Sequence, residues 1–298
     1  MIIYSNIQEG FDLNCIFVSD LHGLSERYIK LFKLIAHEKP DAVFMGGDIL
    51  PSGMFMNYET HAIGGDFIDD FLLVRFAGLK AALEDKYPRV FIILGNDDGR
   101  NREIDFISGT EAGIWEYLHF NKAELGKYKV YGYSFVPPTP FRLKDWERYD
   151  ISRYVDPGCI SPEEGRYTVA VPQREKRYST IKDDLDEYTR DDDLENAIML
   201  FHTPPYQTKL DRANLDGKMV DHVPLDVHVG SIAVRRFIES RQPLLTLHGH
   251  IHESASITGT WKDKIERTHM FSAAHDGREL AVVRFNPEDL ENAVREII

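Results

Sequence analysis

Short runs of apolar residues, rich in Ile, Val and Phe, alternate along the chain with longer stretches that are apolar on one helical face only. "CIFV" leads into Asp20, and the segment Ser25–Glu38 then carries apolar residues at helical spacing until Pro40 stops it. "DAVFMGG" leads to Asp48, and a long helix is predicted near residues 66–86. "RVFIILG" leads to Asn96, Asp97 and Asp98. "AIMLF" leads to His202, a further helix follows that Ser231 can cap, and "PLLTL" leads to His248, His250 and His252. Strand, loop and helix in this alternation predict an α/β sheet with covering helices.

Two segments stand outside the rhythm. Residues 54–65 read as an insertion after Asp48, and a larger insertion or cap spans about 137–195. The acidic stretch "IKDDLDEYTRDDDLE" keeps Ile181, Leu185 and Tyr188 at helical spacing, which predicts a solvated helix face and not an acidic tail. Phe141, Trp146 and Tyr149 could roof a site and stack on a base, but packing within the cap explains them more simply. The expectation is a single domain over 1–298 that includes this cap.

Five predicted strands end in polar or ionisable residues: Asp20 with His22, Asp48, Asn96 with Asp98, His202, and His250 with His252. In open α/β sheets, sites form at the carboxyl ends of strands. Helix caps would explain one or two Asp or Asn residues there, but not the histidines. "HGHIH" concentrates three imidazoles at every second position, which share one side if the backbone is extended.

Composition narrows the chemistry. Forty-nine acidic residues against 35 basic ones give a net charge of −14, a field that repels duplex nucleic acid and anionic membrane. A phosphate substrate stays open, because a bound cation inverts the local field. The two cysteines, Cys15 and Cys159, form neither a disulfide framework nor a CxxC pair. Neither a signal peptide nor an apolar run of membrane-spanning length is visible, and the expectation is a cytoplasmic chain. Carboxylate, amide and imidazole donors without thiolate suit Mn, Fe, Zn, Ni or Co. They are too many for one tetrahedral ion, whereas two divalent metal ions sharing a carboxylate would use them all.

"SDLH", "GGD", "LGNDD", "LFHTPP" and "GHIH" occur in the order of the calcineurin-like metallophosphoesterases, and the chain resembles that family from Asp20 to His252. The resemblance implies a four-layer α/β/β/α sandwich with a dinuclear site at the strand ends. It implies that Asp20, His22 and His252 hold one ion, that Asp48 bridges, and that Asn96, His202 and His250 hold the other. His248 has no role in the motif and reads as structural, or as orienting a ligand from behind. Many members carry His and then an acid after the Gly-Asn pair, the His protonating the leaving oxygen and the acid orienting it. Here Asp97 stands at the His position and Asp98 at the acid, which leaves the proton donor open.

Arg100 and Arg102 could clamp a phosphate, and the amides near His228, Gly230 and Ser231 could bind an anion at a helix start; exposed loop arginines and ordinary capping explain them as well. The resulting expectation is a dinuclear metal-dependent phosphohydrolase, a phosphodiesterase acting on a small nucleotide or other phosphodiester by attack of a metal-bridging hydroxide. A phosphomonoesterase or a non-catalytic scaffold of the same fold are the alternatives.

Overall fold

The computed structural model describes residues 13–52 and 65–298. The insertion expected at 54–65 lies outside the described residues except for Gly65. The described strands, numbered along the chain, make two six-stranded sheets and one small hairpin.

In the first sheet β1 (Cys15–Val18), β2 (Ala42–Gly46), β3 (Arg89–Ile93) and β4 (Glu116–Tyr117) run parallel. The antiparallel pair β13 (Ala281–Asn286) and β14 (Asp289–Ile297) extends it beyond β1. The second sheet has a parallel centre of β6 (Tyr128–Tyr133), β7 (Ala197–Phe201), β10 (Leu245–His248) and β12 (Thr268–Ser272). Antiparallel β5 (Lys122–Leu125) and β11 (Lys262–Ile265) flank it, and β8 (Met219–Val220) pairs only with β9 (Val223–Pro224).

Alternation along each strand explains why the sheets are stacked. Cys15 and Phe17 of β1, Phe44 of β2 and Phe91 of β3 pack in one core with Ile198 and Leu200 of β7, Leu247 of β10 and Phe285 of β13. The odd-numbered face of β1 therefore meets the second sheet, and between the sheets the rings of Phe285 and Phe271 of β12 have centroids 6.0 Å apart. Ile16 and Val18, on the other face, pack with Tyr28, Leu31 and Ile35 of helix α1 (Ser25–Glu38). Both faces of the central strands β1, β2, β7 and β10 are buried, and each large apolar side chain there contributes about 1.5–3 kcal/mol on leaving water.

Helices α2 (Val74–Leu83, entered through a π-helical stretch at Phe67–Leu73) and α3 (Glu103–Glu111) belong to the first half of the chain. The helix foreseen at 66–86 is this composite, closed by a tight turn at Glu84–Lys86. The long connection between β6 and β7 carries only α4 (Gln173–Tyr178) and α5 (Ile181–Tyr188). Ile181 and Leu185 are buried, so the acidic stretch is a helix with one packed face. Trp146, Ile181 and Leu185 share the helix-side core with Ala233, Val234 and Phe237 of α6 (Ile232–Arg241). Ser231 caps α6, its hydroxyl accepting from the Val234 amide at 3.0 Å. Short α7 (Ser254–Thr258) follows the histidine-rich motif. Among the described residues no helix is long and apolar enough to cross a membrane.

Candidate metal centre

The motif residues sit just past the carboxyl ends of β1, β2, β3, β7 and β10, strands drawn from both sheets. Neighbouring strand ends are tied together within each sheet there, and the His250 amide crosses from the second sheet's loop to Asp20 Oδ1 of the first. Asp20 and His22 donate their amides to the carbonyls of Gly47 and Asp48, and Gly249 donates to the His202 carbonyl.

Local backbone is bent hard at this edge. Asp20, His22, Asp48 and His250 all have positive φ, between 48° and 73°. Non-glycine residues rarely adopt that region, and the strain persists where surrounding structure enforces it. His250 at φ 73° also ends the extended run, so the three histidines do not share a strand face. The motif glycines make room. A Cβ on Gly95 would come within 2.4 Å of Asp48 Oδ1 and 2.6 Å of His202 Nε2. Gly47 has φ 96°, and a Cβ there would meet His202 Nδ1 at 2.6 Å.

Asp20, His22, Asp48 and His252 each bring a ligand-type atom within 4.8 Å of the others'. His22 Nε2 lies 3.1 Å from His252 Nε2 and 3.8 Å from Asp48 Oδ2. His252 Nε2 lies 3.3 Å from Asp20 Oδ1, which also accepts the His250 amide at 3.0 Å. Beside this group, His202 Nε2 is 3.1 Å from Asn96 Oδ1 and 3.4 Å from Asp48 Oδ2. The His250 ring stands 5.2 Å from that of His202. Asp48 thus lies between two donor groups, reaching His22 on one side and His202 on the other.

The donor set fits a metal. Asp20 Oδ2 is buried with no hydrogen-bond partner, an unbalanced acceptor in a place where such atoms are costly. His202 Nδ1 stands 2.7 Å from the Gly46 carbonyl, a contact that orients the ring and leaves Nε2 for a ligand.

Electrostatics follow from crowding charges out of water. Burial pulls the His202 imidazole down, but Asp48 and then Asp20 outweigh it and raise it to about 10. Burial lowers His22 to about 4 against the pull of Asp48, and lowers His250 to about 3. Asp20 and Asp48 are held low by the imidazoles in spite of burial. Asp97 is raised to about 7 by burial and by Asp48.

Asp97 and Asp98 border this group. The Asp97 amide donates to Asp48 Oδ1 at 2.8 Å, and its carboxylate faces His22 Nδ1 at 3.5 Å. Asp98 is fully buried and accepts the amides of Gly95 (2.8 Å), Ile49 (3.1 Å) and Leu50 (2.7 Å), pinning the third motif to the second. His248 is buried away from the donor group, its Nδ1 2.9 Å from the Thr203 carbonyl and its Nε2 2.7 Å from Thr246 Oγ1. It therefore braces the loop that follows His202.

Arg102 makes a bidentate pair with Asp66 and contacts Asp105, while Arg100 faces Glu103 and Glu175. Both arginines are paired with carboxylates. The start of α6 does bind an anion, but that anion is Asp150, which accepts from Ser231 Oγ and the amides of Ile232 and Ala233. Trp146 and Tyr149 are buried and Phe141 is half exposed.

Two participants were missed in the sequence. Arg27, buried on the packed face of α1, donates to the Asp20 carbonyl and to the Gly277 carbonyl. A charged residue within that helix's apolar stripe was the available signal. Ser52 carried none; its hydroxyl stands 3.1 Å from His22 Nδ1.

Residues 13–254 match the family model described as calcineurin-like phosphoesterase, and the chain belongs to that family. It is thereby a hydrolase acting on phosphoester bonds. An uncharacterised protein of Methanocaldococcus jannaschii is 38% identical over 77 residues, which are 25% of this chain and 29% of that relative's length. Among solved structures, TT1561 of Thermus thermophilus is 15% identical at a TM-score of 0.51, covering 96% of this chain and 99% of its own. A dimetal phosphatase of Danio rerio is 11% identical at a TM-score of 0.50, covering 96% and 95%. These likenesses show the shared fold.

Proposed function

We propose that this chain is a dinuclear phosphohydrolase working best on phosphodiesters or on esters with good leaving groups, a small nucleotide among them. The observation that carries the reading is the convergence of donors from five strand ends around Asp48, within reach of both His22 and His202. Asp20, His22 and His252 would hold one ion, Asn96, His202 and His250 the other, and Asp48 both. Two divalent cations supply Lewis acidity at phosphoryl oxygens and make water a stronger nucleophile at neutral pH. The chain's own contribution is rigidity. Strained backbone at four ligands, the Gly46 carbonyl behind His202 and the Asp98 clamp fix the donors before any ligand arrives.

The ester class follows from proton balance. Departure of an alkoxide needs a donor, an effect worth roughly 10²–10⁴-fold. Asp97, at the position where many relatives carry His, is turned toward His22. A leaving group that departs as an anion escapes the requirement.

The test is a screen of bis-p-nitrophenyl phosphate, p-nitrophenyl phosphate and 2′,3′-cyclic nucleotides with Mn, Fe, Zn, Ni or Co added singly. The expected outcome is highest kcat/KM on a diester, lost on chelation. Faster turnover of the monoester would make the chain a phosphomonoesterase, and no turnover of any of these esters with any metal would overturn the proposed ester class.

A further inference from the structure

We propose that Ser52 and Asp97 together position His22, so that Asp97 is a positioning residue and not the proton donor. The inference rests on the metal-dependent reading above and assigns a task within it. Three facts carry it. The Ser52 hydroxyl is 3.1 Å from His22 Nδ1. Asp97 Oδ2 is 3.5 Å from the same nitrogen. His22 Nε2, on the far side of the ring, is the atom that meets His252 and Asp48.

Donor and acceptor roles then follow in one direction. A neutral imidazole has one N–H and one lone pair. The Ser52 hydroxyl and the Asp97 oxygen both face His22 Nδ1, and each can accept from an Nδ1–H. The proton is thereby fixed on Nδ1, and the Nε2 lone pair points at the group of Asp20, Asp48 and His252. His202 reaches the same state by a different route, through the Gly46 carbonyl. Such outer partners orient the ring and raise its basicity, and their loss costs about 10–100-fold in metal affinity. The Asp97 amide gives the arrangement a second anchor, because it donates to Asp48 at 2.8 Å. One residue therefore touches the bridging carboxylate through its backbone and a terminal imidazole through its side chain. An acid on the leaving oxygen would instead need its carboxyl turned away from His22.

The full chain, stripped of metal, is titrated with Co(II) and followed by visible absorption and calorimetry, for wild type, Ser52→Ala, Asp97→Asn and Asp97→Ala. The expected result is that one of two bound equivalents weakens by about 10–100-fold in every variant, most in Asp97→Ala, while the other is unchanged. Hydrolysis of aryl and alkyl diesters should fall by the same factor at limiting metal and recover together at saturating metal. Ser52→Ala removes a single oxygen and carries the test if the Asp97 variants fold poorly. Wild-type affinity at both equivalents in Ser52→Ala and Asp97→Asn, with loss confined to alkyl esters in the latter, would overturn the positioning role and make Asp97 the acid. If wild type binds no Co(II), the metal-dependent reading fails first and the positioning role falls with it.

Discussion

Two buried clusters of charge in this fold are built on opposite principles. In the connection between β6 and β7, charge is cancelled by the protein itself. Lys144 and Glu147 are both fully buried and paired, and Glu147 also takes the Thr139 amide and hydroxyl at 2.7 and 2.6 Å. Asp145 accepts the amides of Arg100 and Thr168, and Arg148 divides its guanidinium between Asp184 and Glu175. At the strand edge the charges stay unbalanced. Asp20 keeps a buried oxygen without a partner, imidazole nitrogens face each other, and four of the proposed ligands hold left-handed backbone. Burial of charge is common to both, so burial alone says nothing of function. What separates them is the balance of charge: in one the buried carboxylates are paired by cations and amides, whereas the other leaves a buried carboxylate oxygen without a partner and calls for a cation.

The largest expected effect comes from breaking the open cluster at its centre. Asp48→Asn replaces the carboxylate shared by both donor groups with a neutral amide. The loss of several kcal/mol of charge stabilisation corresponds to at least about 10³-fold in kcat/KM, with both ions bound more weakly. His248→Gln, two residues from His250, should keep both ions and most activity, since among the described residues its ring nitrogens face Thr203 and Thr246 and not the donor group. It should cost about 1–3 kcal/mol of stability through those buried hydrogen bonds. Metal content and kinetics of the two variants decide the matter. A His248 variant that loses a metal beside an Asp48 variant that keeps both would redraw the ligand set.

The closed cluster should break in stability and not in metal binding. Lys144→Met leaves Glu147 buried without its cation and should cost about 3–5 kcal/mol. Adding Glu147→Leu should recover most of that, because two apolar side chains need no partner. Urea unfolding measures the cost and Co(II) titration the metal. If the single variant lost metal binding, the two clusters would be one system and the contrast would collapse.

Much of the fold and of the polar cluster was legible in the sequence because each strand and the polar residue at its end lie next to each other in the chain. Alternation gave β1, β2, β3, β7 and β10, and Pro40 stopped α1 where the structure stops it. The histidine-rich stretch shows the limit of periodicity. A spacing of two suggested one extended face, yet the strand ends at His248 and His250 bends into positive φ. Partners distant in the chain were not legible. Nothing in the sequence couples Ser52 to His22, or Asp150 to the start of α6, 81 residues further on. Arg27 could have been suspected from its place in an apolar stripe, but not its bond to the Asp20 carbonyl.

The smallest expected effect sharpens the contrast from the closed side. His119 is buried among aromatic rings, 5.1 Å from Phe135 and 4.9 Å from Trp146 between centroids. Its Nδ1 accepts the Ser134 amide at 3.1 Å, which puts the proton on Nε2, and Nε2 has no hydrogen-bond partner. Burial first, and then the guanidinium groups of Arg148 and Arg100, hold this imidazole well below its ordinary range. The unfolded chain takes up a proton near pH 6.5 that the folded chain refuses. Stability from this group is therefore fully present above that pH and is lost as pH falls below it. The loss should reach about 1.4 kcal/mol one unit below, at pH 5.5. His119→Gln removes the titration, so its stability should fall less than that of wild type between pH 7.5 and 5.5, by about that amount. Urea unfolding at the two pH values gives the difference directly, whatever the substitution costs at either one. Equal losses would mean that the folded protein admits a proton at His119, and a cluster that accepts new charge is not a closed one.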